Sequence, residues 1–411
     1  MKKCVKTVLS LISASAILFS SGCKSEYKEK KVYAEELTAN MKVEVEAKDL
    51  SGEFISAYDD FAIEFFKRSK TEGNFLISPL SASACLSMAF NGADGETLSE
   101  FEGVFKNIEI AELNRYFKKI IDGADENLKI ADSVWLNKEK ANANEEFLKA
   151  VKSYYNAEVY RAKFDDKLVG DINNWAENKT NGMIKEILKE TSPEFYMYLM
   201  NALYFSSKWE EEYEKGDIYN SEFRNADGTK TKCEMMRSKE GKYFTLNGAD
   251  GFMKYYKGGK YAFMAILPKE DDDIGEFIDG LNGEDFKKAI TNATYALVNA
   301  EIPKFSYDYS IEMKDLLMDM GIRKAFSPYG ADFTKMRKEG GLFIDFVLQK
   351  TRIELDENGT KAAAVTIIGM KDNAYMPPEK EINVILDRPF VYSIISVEDG
   401  LPLFIGSVNK L

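Results

Sequence analysis

The stretch "DENGTKAAAVTIIGMKDNAYMPPEK", Asp356 to Lys380, carries two conformational preferences in one run. It opens acidic, passes through Gly359-Thr360, and reaches Ala362, Ala363 and Ala364, which favour helix. Val365-Thr366-Ile367-Ile368 then favour strand, and Pro377-Pro378 ends either element. Gly359 supplies a pivot, and small residues lead directly into strand formers. Side-chain parity divides the run. Thr360, Ala362, Ala364, Thr366, Ile368 and Met370 share one face of an extended chain. Lys361, Ala363, Val365, Ile367, Gly369 and Lys371 share the other, so the lysine-free face is the one fit for a core.

Composition limits the chemistry. The chain has 411 residues, 45% hydrophobic and 30% charged, which suits one large domain with a real core. Its formal charge of −13 disfavours nucleic acid, anionic lipid and heparin-like partners. It contains no histidine, which removes Ser-His-Asp and Cys-His catalysis and histidine-ligated zinc. Carboxylate-pair and Ser-Lys enzymes remain open, but the acids fall in runs such as "KEDDD" and "KWEEEYEK" that read as solvated faces. No cofactor and no metal are expected. Of four cysteines, Cys85 lies in the apolar run "SACLSMAF" and Cys233 precedes "EMM"; whether those two pair is open.

The N-terminus reads as an address. Lys2, Lys3 and Lys6 precede an apolar run from Val8 to Phe19, then Ser20, Ser21, Gly22 and Cys23. A basic end, a short apolar core and small residues at the cut form an export signal over residues 1–22, too short for a comfortable membrane span. Small residues leading into a cysteine resemble the bacterial lipoprotein signal, which implies lipid on Cys23 and a surface protein anchored to a bacterial membrane. Ser20 stands where that signal usually has leucine. Residues 23–50 are charged and poor in large apolar side chains, and read as a flexible tether.

From Ser51 the pattern is regular. "EFISAYDDFAIEFFKR" has helical spacing through Phe54, Tyr58, Phe61 and Phe65. "LISPLSASACLSMAFNGA" is a buried helix with a Ser-Pro start. "DINNWAENKTNGMIKEIL" reads as helix, turn, helix. "LKIADSVWLN", "MYLMNALYFSSKW", "KYAFMAILPKE" and "ALVNAEIPKF" read as strands, and "FVYSIISVEDGLPLFIGSV" as a hairpin around Asp399-Gly400. Helices lead and strands follow, with no linker between, so residues 51–411 are expected to form one α+β domain.

These residues resemble the serpin family, in order and over the whole body. The carriers are Asn74, Ser78, Pro79, Ser81, Gly92 and Thr97, then Asn173, Thr180, Gly182 and Ile184, then Asn201, Phe205 and Trp209 in "LMNALYFSSKWEEEYE". "IPKFSYDYSIEMKDLLMDMGIRKAF", "GADF" and "RPFVYSIISVEDGLPLFIGSV" continue it. The resemblance implies helices packed around a large mixed sheet, with further sheets and an exposed reactive loop at about residues 357–378. It implies a suicide inhibitor, a monomer, that traps a serine protease covalently and has no catalytic group of its own. The alternatives are a non-inhibitory serpin-like binding or chaperone protein, or an enzyme of another class.

The resemblance also assigns positions. The hinge would comprise Glu357, Gly359, Thr360, Ala362, Ala363 and Ala364. Ser78, Asn201, Trp209 and Gln349 would belong to the region where the main sheet opens. Gln349 stands where the family usually has a histidine bonded to the asparagine matching Asn201, and its amide is expected to donate there instead. Lys361 stands where the family usually has glutamate. Counting from Gly359 puts the scissile bond after Asn373, and counting back from Pro377-Pro378 puts it after Ala374. Lys371 is too early for a basic pocket and Tyr375 too late for an aromatic one. Ala374 is favoured, which points to elastase-like or subtilisin-like targets.

Overall fold

The computed structural model describes residues 27–42, 44–360 and 381–411. The export signal, Cys4, Cys23, Ala362 to Ala364, Asn373, Ala374 and Tyr375 lie outside the described residues.

The first helix, Gly52–Arg68, buries Phe54, Tyr58, Phe61, Phe65 and Phe66, and the Ser51 side chain caps it by accepting from Phe54 N. The second helix, Pro79–Phe90, is buried on every side, as an all-round apolar sequence requires. Its N-cap is Ser78 and proline occupies its first position, where a missing N–H costs nothing. This helix packs on strands of both large sheets.

The main sheet runs Glu35–Glu36, Glu158–Ala162, Leu128–Asn137, Met197–Phe205, Phe346–Asp356, Gly359–Thr360, Ser207–Lys208, with Phe305–Glu312 also pairing to Phe346–Asp356. The second sheet has nine strands and contains the C-terminal hairpin, Phe390–Ser396 with Pro402–Val408. The turn of that hairpin uses Gly400 at φ +71°. The α+β class and the predicted strands agree with this architecture.

Two expectations need correction. Residues 27–42 are docked rather than free. Tyr27 Oη donates to Asn178 Oδ1 at 3.0 Å, and Tyr33 N donates to Asp171 Oδ1 at 2.9 Å, both on the helix Asp166–Lys179. Glu35 and Glu36 then pair with Arg161 and Tyr160, and Leu37 N donates to Val159 O at 2.7 Å. The attraction is a sheet edge with unpaired backbone groups, which any extended chain satisfies whatever its side chains.

The second correction is the sequence after Asn181, which forms no helix. Asn173 Oδ1 accepts from Ile187 N and Leu188 N, its Nδ2 donates to Leu188 O, and Thr180 Oγ1 accepts from Ile184 N. Side chains take the donors a helix would have used.

Cys85 is a buried free thiol and Cys233 a half-buried one, so they do not pair.

Phe90 is fully buried and stacks on Phe101 with centroids 4.4 Å apart. Phe90→Ala is expected to cost about 3–5 kcal/mol, read as a lowered urea midpoint with unchanged slope.

Candidate functional site: the hinge and the centre of the main sheet

The strands Met197–Phe205 and Phe346–Asp356 are parallel partners only from Tyr198↔Phe346 to Ala202↔Lys350. Beyond that they diverge, and Gly359–Thr360 occupies the far end of the gap. Thr360 pairs with Leu355 on one side and Ser207 on the other; Gly359 pairs with Asp356 and Lys208. A Cβ on Gly359 would stand 2.2 Å from Ser207 O, and its φ is +147°, so only glycine fits. Thr360 is 3% exposed, on the face that parity assigns to the core.

A polar and aromatic clamp holds this corner. Trp209 N donates to Asn358 O at 3.1 Å and Trp209 Nε1 to Asp356 O at 3.0 Å. The Trp209 ring stacks on Tyr256 at 4.5 Å, and the Tyr256 hydroxyl meets Thr360 Oγ1 at 2.7 Å. Glu357 pairs with Lys304 at 2.8 Å, and the bond to that lysine holds its carboxyl below the usual range. Tyr213 N donates to Glu357 O at 3.1 Å. Below, Lys254 Nζ lies 4.5 Å from the Tyr213 ring centroid and 2.9 Å from Glu240.

The second cluster lies under the sheet centre. Gln349 is directly opposite Asn201 in the ladder, but its amide does not reach the Asn201 side chain. Gln349 Nε2 donates to Ser78 O and Gln349 Oε1 accepts from Ser78 N, both at 2.9 Å. The expected donation to Asn201 is thus replaced by a two-bond clasp on the N-cap of the second helix. The primary amide carries donor and acceptor together, matching a backbone N–H and C=O. Ser78 Oγ also donates to Leu403 O at 2.7 Å, joining the main sheet, the buried helix and the second sheet.

Asn201 turns the other way. Its Nδ2 donates to Asp132 Oδ1 at 2.6 Å and to Ser81 O at 3.3 Å. Asp132 is 3% exposed, and burial pushes its carboxyl up to about 7, against the pull of Asn201 and Cys85. Among the described residues Asp132 Oδ2, Asn201 Oδ1 and Ser81 Oγ have no partner. Asp132, Tyr256 and Lys304 were not singled out from the sequence. A lone acid in the apolar strand "LKIADSVWLN" was the available signal for the first.

No group of three or more His, Cys, Asp or Glu among the described residues is placed to hold a metal. The arrangement is mechanical: a slot between two strands, a glycine wedge at its mouth, and a clasp beneath it. The sequence model of a family described as "Serpin (serine protease inhibitor)" matches residues 56–411. The chain belongs to the serpin family.

A serpin-like protein of Thermococcus kodakarensis is 30% identical over 367 residues, covering 86% of this chain and 84% of that one. The native-state crystal structure of tengpin, a thermophilic serpin, is 41% identical with a TM-score of 0.87, covering 92% of this chain and 100% of that one. Tengpin in its latent state matches less closely, with a TM-score of 0.78 at 40% identity, covering 89% and 100%. Serpins are generally protease inhibitors without enzymatic activity.

Asp132 makes this serpin's stability depend on pH. Its folded carboxyl titrates near 7 against a reference of 3.8, as does buried Asp59, also pushed to about 7. The folded state therefore holds more protons, so stability falls as pH rises from about 4 to about 7 and levels beyond. Asp132→Asn is expected to remove its share of that decline. Urea midpoints across the window check it: the variant should gain on wild type towards neutral pH and not at about pH 4.

Proposed function

We propose that this serpin is a suicide inhibitor of serine proteases that traps the acyl-enzyme by inserting its cleaved reactive loop into the main sheet. The observation that carries the reading is the slot. The ladder between Met197–Phe205 and Phe346–Asp356 stops at Ala202 and Lys350, and Gly359–Thr360 already fills the other end. Continuing the register past Leu355↔Thr360 sets positions 362 and 364 opposite Ile353 and Thr351, both buried. It sets positions 361 and 363 opposite Glu354 and Arg352, both partly exposed. Alanines would then enter the tight face. Lys361 would lie beside an acid, a favourable cross-strand pair that suits lysine where relatives usually carry glutamate.

The chemistry belongs to the target. Its serine oxygen attacks the loop carbonyl, an ester forms, and the amine side of the peptide bond leaves. Insertion of roughly 14–15 residues at about 3.3 Å each carries the ester by about 50 Å. Dragging the acylated serine out of register removes the oxyanion hole that deacylation requires. Ala374 is the favoured residue before the cut, with Asn373 and Tyr375 as neighbours, and shallow-pocketed elastase-like or subtilisin-like enzymes are the favoured targets. Lipid on Cys23 would hold the inhibitor at a bacterial surface.

Incubation with elastase-type enzyme is expected to give an SDS-stable band at the summed mass and a released fragment starting at Tyr375. Thr360→Arg is expected to expel Gly359–Thr360 from the sheet and to abolish that band while the loop is still cut, because returning an unpaired charge to this buried position on insertion costs several kcal/mol. A band of undiminished yield from Thr360→Arg would overturn the insertion mechanism.

Cys23→Ser is expected to move the protein from the membrane fraction to the soluble one. A mature N-terminus at any other residue, without lipid by mass spectrometry, would remove the anchor.

A further inference from the structure

Asn358 and Gly359 form the most labile dipeptide in protein chemistry at the mouth of the slot. An asparagine followed by glycine cyclises readily because no Cβ shields the following nitrogen. The chain has five Asn-Gly pairs, beginning at Asn91, Asn181, Asn247, Asn282 and Asn358. Four have side chains held by partners.

Asn91 exchanges hydrogen bonds with Asn114, at 2.7 and 2.8 Å, and also donates to Ser87 O. Asn282 caps the helix Gly283–Thr291, accepting from Asp285 N and donating to Asp285 Oδ2. Asn247 Nδ2 donates to Gly280 O at 2.9 Å. Asn181 accepts from Lys129 at 3.4 Å, and the Tyr27 ring lies 3.0 Å from where a Cβ on Gly182 would stand. Asn358 differs. Among the described residues its side-chain amide has no hydrogen-bond partner. It is partly exposed and sits in the two-residue turn between Phe346–Asp356 and Gly359–Thr360, outside both ladders. Among the described residues Asp356 Oδ1 takes Asn358 N–H and Trp209 N donates to Asn358 O, while the next residue, Gly359, is paired with Asp356 and Lys208.

We propose that Asn358 is a site of spontaneous deamidation, through which the hinge of this protein ages. The Gly359 nitrogen attacks Asn358 Cγ; the new C–N bond closes a five-membered imide as the Cγ–Nδ2 bond breaks. Ammonia leaves, taking up the proton lost from Gly359 N. Water then opens the ring. Cleavage at Cγ leaves aspartate, and cleavage at the main-chain carbonyl leaves isoaspartate. One water enters, one ammonia departs, and nothing is oxidised or reduced. The protein cannot protect itself by replacing Gly359, because the 2.2 Å approach to Ser207 O excludes any side chain.

Conversion adds a negative charge beside Asp356 and Glu357. The isoaspartyl form also adds a backbone carbon between the Trp209 contact and Thr360, shifting the loop that follows. Its effect on protease trapping rests on the function proposed above; the chemical event does not, and its readout needs no protease.

The full chain is held in warm, mildly alkaline buffer and sampled by peptide mapping, with isoaspartate methyl-acceptor labelling in parallel. Conversion at Asn358 is expected about tenfold faster than at any of the other four, the weight of a net hydrogen bond or two. Asn358→Gln, whose longer side chain disfavours the five-membered ring, should lose most of the isoaspartate signal. Earlier conversion at another Asn-Gly pair overturns the proposal. So does an isoaspartate signal undiminished in Asn358→Gln, or an intact Asn358 after a free peptide of the same sequence has converted.

Discussion

A ladder that ends early governs this molecule. Met197–Phe205 and Phe346–Asp356 share parallel pairing for five residues and then separate. Each net backbone hydrogen bond is worth about 1 kcal/mol, and a strand interior brings apolar burial besides. Past Ala202 and Lys350 the two strands do not pair with each other, so a strand lying between them would gain that pairing. The segment with matching parity is joined directly to the gap by Gly359–Thr360.

The parts around the gap are coupled through few atoms. Ser78 touches three layers: Gln349 in the main sheet, the second helix through its cap, and Leu403 in the second sheet. Asn201 ties the neighbouring strand through Asp132. Opening the sheet moves the strand bearing Gln349 relative to the one bearing Asn201, and the two amides hold different partners, so the strands share no side-chain bond there. The stiffness comes from each strand's own grip on the helix beneath. At the other end, Trp209 bonds the backbone on both sides of Glu357. Its large ring makes that corner a packed joint rather than a loose turn.

Most of the fold was legible in the sequence because its signals are local. Ser78-Pro79 before an all-round apolar run fixed a buried helix, and the alternating and apolar runs of the last two thirds fixed strands. Parity set Thr360 apart from Lys361. What escaped depended on distant partners. Asn173 spends its amide on residues fourteen and fifteen positions later, which no helical periodicity reveals. Gln349 meets Ser78 across 271 residues. Asp132 looked like one more acid until the strand from it to Asn137 proved buried. Residues 27–42 carry few large apolar side chains; Val32, Leu37 and Met41 pack against the core, but backbone and polar bonds such as Tyr33 N to Asp171 do much of the docking.

If Cys23 carries lipid as proposed above, the docked N-terminal segment sets a leash length. Read as free chain, residues 23–50 would let a lipid-anchored body roam up to about 95 Å from its attachment at roughly 3.5 Å per residue. With Tyr27 already fastened to Asn178, only four such steps separate Cys23 from the body, about 14 Å. An inhibitor held that closely would ride against its membrane with the Asp166–Lys179 side turned inward. It would meet proteases arriving at that surface, with little freedom to reorient toward those passing farther out.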